Sequence, residues 1–334
     1  MVRVIVSASV RALVGCLAAI GLFALLLVGL IASPLHAPPE LRSVSAAAGA
    51  VDRGTMPGLD RFPARDGTAL AYRHYPARAK AVDRIAVLVH GSSGQSASVH
   101  ALSDALAARG VETYALDIRG HGGSGTRGDI GYLGQLEDDL ADLVALIRQT
   151  APTTPLTLIG HSAGGGFALR IAGSPMQDLF ARTVLLSPFL GAFAPTNQPN
   201  YGGWAEPDLP RIVALTALRK IGIECCDALP VLAYAVPPNS SQRQTAVYSE
   251  RLRSNFGVHM DFRTDLAAVR QPLSIFAGAE DELMRSDQYA AAVQGVMPRA
   301  TVTLIDGVNH MGIVRDPKAI SVIADDVARS AANS

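Results

Sequence analysis

The sequence predicts an α/β fold: a mostly parallel sheet with helices on both faces and an inserted cap. Three observations predict it. First, short apolar runs of strand length alternate with stretches of helical spacing, from Ile85 to Leu186 and again from Leu273 to Ala331. Buried parallel strands joined by crossover helices give this pattern. Second, the alternation is interrupted between Pro188 and Arg270, a gap too long for a plain loop in a compact domain. It carries Ile212, Leu215, Leu218 and Ile221 at helical spacing and reads as a cap over the strand ends, about 188–270. Third, the strand Leu156–Ile159 runs directly into Gly160-His161-Ser162-Ala163-Gly164 and then a helix stopped by Gly173. That is a strand, a sharp turn with serine at its apex, and a helix with a glycine stop.

Taken in order, the first element is apolar. Ala12 to Ala32 holds no charged residue and is long enough to cross the hydrocarbon core of a bilayer as a helix. Arg3 and Arg11 precede it, which favours a cytoplasmic N-terminus. Residues 1–32 are expected to form a single-pass membrane anchor with the folded body outside the cytoplasm. The alternative is a cleaved signal peptide, leaving a secreted or periplasmic protein. Its apolar core is ordinarily about 7–15 residues, and cleavage after Ser33 or Ala37 would have to precede a proline. Residues 33–58, rich in Pro, Ala, Ser and Gly without a period, read as a linker.

The folded body is expected over 59–334. Asp66-Gly67 between two β-prone runs predicts a hairpin. Strands follow at Ile85–Val89 and Glu112–Leu116, with a helix from Ala101 to Arg109 between them. Leu136, Leu140, Leu143, Val144 and Ile147 share a helix face, and Thr183–Leu186 is a strand. Beyond the cap come a strand at Leu273–Ala277, a helix from Tyr289 to Val296, the last strand Thr301–Ile305, and a closing helix from Pro317 to Ala331. The chain of 334 residues is formally neutral and 49% hydrophobic. That is enough for one substantial core, with no charge excess to suggest a nucleic-acid partner.

The chemistry centres on Gly160-x-Ser162-x-Gly164. This turn forces strained backbone angles on Ser162 and lifts its hydroxyl above the sheet. Gly160 and Gly164, lacking Cβ, let strand and helix approach. A serine nucleophile also needs a base, an acid to orient the base, and an oxyanion hole. Each partner is expected just after a strand, in the order Ser, acid, His. Asp281 follows Leu273–Ala277 and His310 follows Thr301–Ile305. Glu280 and Glu282 flank Asp281 and are alternative acids. Of the eight histidines, His310 alone follows the last strand. His36, His74 and His259 read as surface or satisfied residues, and His161 as packing beneath the turn. His90-Gly91-Ser92-Ser93-Gly94 ends the first parallel strand and aims the Ser92 amide at the oxyanion, joined by the amide of Ala163 at the helix start. Asp117-x-Arg119-Gly120-His121-Gly122-x-Ser124 reads as a rigid turn beside the site. Cys225-Cys226 reads as a pair of small buried residues, since a bridge between neighbours would be strained.

Val89-His90-Gly91, the Asp117–Ser124 turn, Gly160–Gly164, Gly278-x-x-Asp281 and His310 together resemble the α/β-hydrolase superfamily. Within it, they resemble lysophospholipase and monoacylglycerol lipase-like serine hydrolases. The resemblance covers Leu59 to the C-terminus except the cap. It implies hydrolysis of a small-molecule ester through an acyl-enzyme, with no metal and no organic cofactor. Thioester and carbon–carbon bond hydrolysis would use the same three residues. A catalytically silent membrane-anchored scaffold is a further reading, disfavoured because all three residues are present. The cap is mostly apolar and offers Phe189, Phe193, Trp204, Ile212, Leu215 and Tyr234 as walls for an acyl chain.

Overall fold

A computed structural model describes residues 2–49, 53–79, 82–237 and 244–329. The first element is helix α1 (Val2–Ile31), and α2 (Arg42–Gly49) follows it. The body begins with β1 (Asp60–Pro63) and β2 (Ala69–Tyr75), an antiparallel hairpin turned at Asp66-Gly67. Then come β3 (Ile85–Val89), α3 (His100–Ala108), β4 (Glu112–Leu116), α4 (Gln135–Thr150), β5 (Leu156–His161), α5 (Ala163–Ala172) and β6 (Arg182–Leu186). After the insertion the sheet resumes with β10 (Leu273–Gly278), α9 (Tyr289–Gln294), β11 (Thr301–Ile305) and α10 (Pro317–Ala328). The closing helix was expected to reach Ala331; residues beyond 329 lie outside the described part.

Eight strands form one sheet in the order β1-β2-β4-β3-β5-β6-β10-β11, in which only the pairings of β2 are antiparallel. The predicted α/β fold is therefore the observed one. Every residue of β3, β5 and β10 is buried, which is why these strands are apolar throughout rather than alternating. The order reverses between β3 and β5: from β3 the chain moves to β4 on one side, and from β5 to β6 on the other. Right-handed crossovers then place α3 and α5 on opposite faces of the sheet. The C-terminal ends of β3 and β5 flank this switch point, where loops diverge and leave a crevice.

The insertion contains more than helices. Strands β7 (Ala205–Pro207), β8 (Pro230–Tyr234) and β9 (Val247–Ser249) form a small antiparallel sheet beside α6 (Leu209–Lys220). Helix α7 (Glu250–Asn255) follows. Helix α8 (Phe262–Ala268) packs on α5, so the end of the expected cap, near 262–270, belongs to the helix layer of the sheet. The expected linker also carries structure. Helix α2 lies within it, with Val44 buried. Cys225 is exposed, against the expected burial, and Cys226 is half-buried; both are free thiols.

Candidate active site

Ser162 stands between β5 and α5 at φ 54°, ψ −119°, a region disfavoured for any residue with a side chain. The surroundings hold it there. Its N–H donates to the Leu186 carbonyl at 2.9 Å, and its carbonyl accepts from Phe189 N–H at 2.9 Å and Gly166 N–H at 3.1 Å. The glycines are required by contact. A Cβ on Gly160 would lie 2.1 Å from the Gly164 carbonyl oxygen, and one on Gly164 would lie 2.3 Å from that of His90.

The loop after β3 closes on the same point. A Cβ on Gly91 would meet the Ser162 Cβ at 3.0 Å, so the loop bearing Ser92 passes directly against the serine. Ala163 is the first residue of α5, next to Ser162. His310 follows β11 and Asp281 follows β10. The Asp281 oxygens lie 2.8 and 3.0 Å from His310 Nδ1. Asp281 Oδ1 also accepts the N–H groups of Leu283 and Met284, each at 2.9 Å. Burial works against ionisation of Asp281, but the charge of His310 and these hydrogen bonds outweigh it and hold its pKa below the usual carboxylate value. Burial likewise opposes protonation of His310, and the Asp281 carboxylate overcomes it, so the imidazole pKa is raised.

The flanking acids take other places. Glu282 accepts the backbone N–H of His310 at 2.9 Å, while Glu280 is exposed. His161 packs against His310 with the rings tilted and their centroids 4.9 Å apart. Burial, reinforced by His310, lowers its pKa to about 3, so it stays neutral. His74 pairs with Glu112 at 2.7 Å, and His259 pairs with Asp265. His36 is exposed.

One recess brings three of the expected site residues together. Ser92, Ser162 and His310 line it together with Val44, Trp204 and Met311. Of the residues offered as cap walls, Trp204 reaches it, and Tyr234 packs behind Trp204 at 5.5 Å between centroids. Phe193 is 83% exposed and Leu215 is buried within the cap. Among the described residues, no cluster of three or more His, Cys, Asp and Glu could hold a metal ion.

Tyr248 on β9 carries no motif and would not be singled out from sequence. Its hydroxyl accepts the Ser93 N–H at 2.7 Å and lies 2.5 Å from His121 Nε2. Trp204 Nε1 donates to the Ser92 hydroxyl at 2.9 Å. Ser93 has φ 63°, so the cap sheet pins a loop in a left-handed conformation. From the other side, Asp117 accepts the N–H groups of Ser96 and Gly123, at 2.6 and 2.7 Å, tying that loop to the turn after β4.

A serine on a strained turn at the sheet's switch point, sharing a recess with a histidine that a buried aspartate holds, defines the α/β-hydrolase class. The family model described as Serine aminopeptidase, S33 matches residues 80–318, and the chain belongs to that family. A monoacylglycerol lipase of Mycolicibacterium smegmatis is 33% identical over 109 residues, which is 32% of this chain and 39% of the relative. A monoglyceride lipase homolog of Monkeypox virus is 30% identical over 106 residues, 31% of this chain and 38% of that protein. The chain thus aligns with well under half the length of these relatives. Among solved structures, a soluble variant of monoglyceride lipase from Saccharomyces cerevisiae superposes with TM-score 0.61 at 18% identity, covering 83% of this chain and 95% of that one. A bacterial membrane phospholipase A superposes with TM-score 0.55 at 17% identity, covering 96% and 99%. These two likenesses speak to the fold.

Proposed function

We propose that the protein is a serine hydrolase of carboxylic esters, acting on neutral, lipid-like esters with medium acyl chains. The observation that carries this is that His310, with Asp281 2.8 Å from its Nδ1, lines the same recess as Ser162. In this reading the Ser162 hydroxyl attacks the ester carbonyl while His310 Nε2 takes its proton. Asp281 holds the Nδ1–H and stabilises the imidazolium that forms. The amides of Ser92 and Ala163 receive the negative charge on the former carbonyl oxygen. His310 then protonates the departing alcohol, and water, deprotonated by the same imidazole, releases the acid from Ser162. Trp204, Leu283 and Met311 in the recess favour an apolar acyl group, and the names of the relatives agree with a neutral lipid ester.

The N-terminal helix is included in the proposal as a membrane anchor. Val10–Ile31, 22 residues, is long and apolar enough to cross a bilayer; a signal sequence has the same character. The catalytic body then lies outside the cytoplasm.

The test is fluorophosphonate labelling of membrane fractions together with a p-nitrophenyl ester series from acetate to palmitate. Expected are a label on Ser162, an octanoate-range optimum, and residual turnover below about 1% in Ser162→Ala. An optimum on acetate would refute the apolar acyl site. Full turnover in Ser162→Ala would refute the nucleophile. Thioesters hydrolysed far faster than esters would reassign the substrate.

A further inference from the structure

We propose that residues 33–46, which follow the N-terminal helix, form one wall of the acyl-binding recess through Val44, and that Val44 governs which acyl chains fit. This rests on the ester-hydrolase reading and names what shapes its substrate. Helix α2 is eight residues long, Arg-Ser-Val-Ser-Ala-Ala-Ala-Gly, and a helix that short does not persist in water by itself. Tertiary contact must hold it, and the structure shows where. Val44 is 5% exposed and packs into the hydrophobic core, and it lines the recess shared by Ser162, His310 and Trp204.

The segment is fastened at two places before Val44. Just before α2, Leu41 N–H donates to the Ala235 carbonyl at 3.1 Å, one residue beyond Tyr234 of β8. At the end of α1, the Ser33 hydroxyl donates to Asp208 Oδ1 at 2.6 Å. Arg211 donates through Nε to the Ile31 carbonyl at 2.8 Å and through Nη2 to the Ser33 carbonyl. Asp208 and Arg211 are 2% and 11% exposed at their side chains, so these contacts are sheltered from water and register strongly. Helix α1 packs on α6, and Leu27 is buried there, while most of the other apolar side chains described from Val10 to Ile31 are exposed. The N-terminal segment is therefore held against the cap, and its one deeply buried valine is spent on the recess.

The side chain at position 44 then sets the room left for acyl carbons. A larger group displaces the far end of a chain; a smaller one removes apolar contact from it. Losing two methyl contacts changes relative rates by about tenfold at the ordinary value per buried carbon. The test uses the full chain in lipid nanodiscs, with Val44→Trp and Val44→Ala. The readouts are the ratio of kcat/KM for octanoate over acetate and displacement of fluorescent cis-parinaric acid by fatty acids of increasing length. In Val44→Trp the ratio should fall tenfold or more, and displacement should shift to shorter acids. In Val44→Ala the ratio should fall by about tenfold. Ser33→Ala, remote from Ser162, should move the ratio in the same direction by loosening the segment. If acetate and octanoate change together in all three variants, residue 44 acts only through folding and the proposal is overturned. If no ester is hydrolysed by the unaltered chain, the ester reading fails, and the displacement series alone decides: dependence on residue 44 upholds the wall, indifference removes it.

Discussion

His310 is the residue whose ionisation the proposed reaction reads out. It must be neutral to accept the Ser162 proton. Burial alone would make it easier to deprotonate, but Asp281 at 2.8 Å holds the proton on and raises the pKa. Activity should therefore rise with pH, and the midpoint of kcat/KM should lie above the value of about 6.5 of a free imidazole. A pH–rate profile with a small soluble ester checks this; a midpoint at or below that of free imidazole would contradict it. The two neighbouring carboxylates divide the support of His310, one on the ring and one on the backbone. Asp281→Asn presents an amide to Nδ1 and favours the wrong tautomer, so kcat should drop by orders of magnitude, about 10³–10⁴. Glu282→Gln keeps an acceptor for the His310 N–H and should lose no more than about tenfold. Equal losses in the two variants would reassign the acid.

At the scale of elements, the cap sheet holds the loop after β3. Tyr248→Phe removes the acceptor of a buried N–H on Ser93, leaving it unsatisfied at about 1–3 kcal/mol. The loop carrying Ser92 should loosen, and kcat should fall alike for every acyl length. Trp204→Ala, which alters the recess wall, should instead change the preference among lengths. Steady-state kinetics over the ester series separates the two effects. What the sequence made legible follows the same division. Strands β3, β4 and β11 match their expected spans residue for residue because short apolar runs bounded by polar or turn residues have one good solution. Strands β7 and β9 are three residues each, too short for a period to register, so the cap sheet was not legible. Helix α2 was unreadable for a different reason: its small residues carry little intrinsic signal, and contacts made elsewhere in the fold hold it. Tyr248 and Ser93 are 155 positions apart, a pairing no local pattern contains. The closeness of Asp281 and His310 was legible because the fold brings together the ends of neighbouring strands, β10 and β11.

Over the whole molecule, the N-terminal helix, the cap and the recess are one continuous chain of contacts, through Ile31, Ser33, Arg211, Ala235 and Val44. A protein stable by only about 5–15 kcal/mol in total also contains one residue kept in a disfavoured conformation. Ser162 sits at φ 54°, ψ −119°, and such positions cost about 1–3 kcal/mol each. Glycine adopts these angles freely, although its unfolded chain has more entropy to lose. Ser162→Gly should therefore melt a few degrees higher than the native protein, at about 2–4 °C per kcal/mol. Ser162→Ala, which lacks the proposed nucleophile as the glycine variant does but still carries a Cβ, should show no such gain. Differential scanning calorimetry of the three proteins makes the comparison. A rise confined to the glycine variant would measure, as heat, the stability that the fold forgoes to hold one hydroxyl in place.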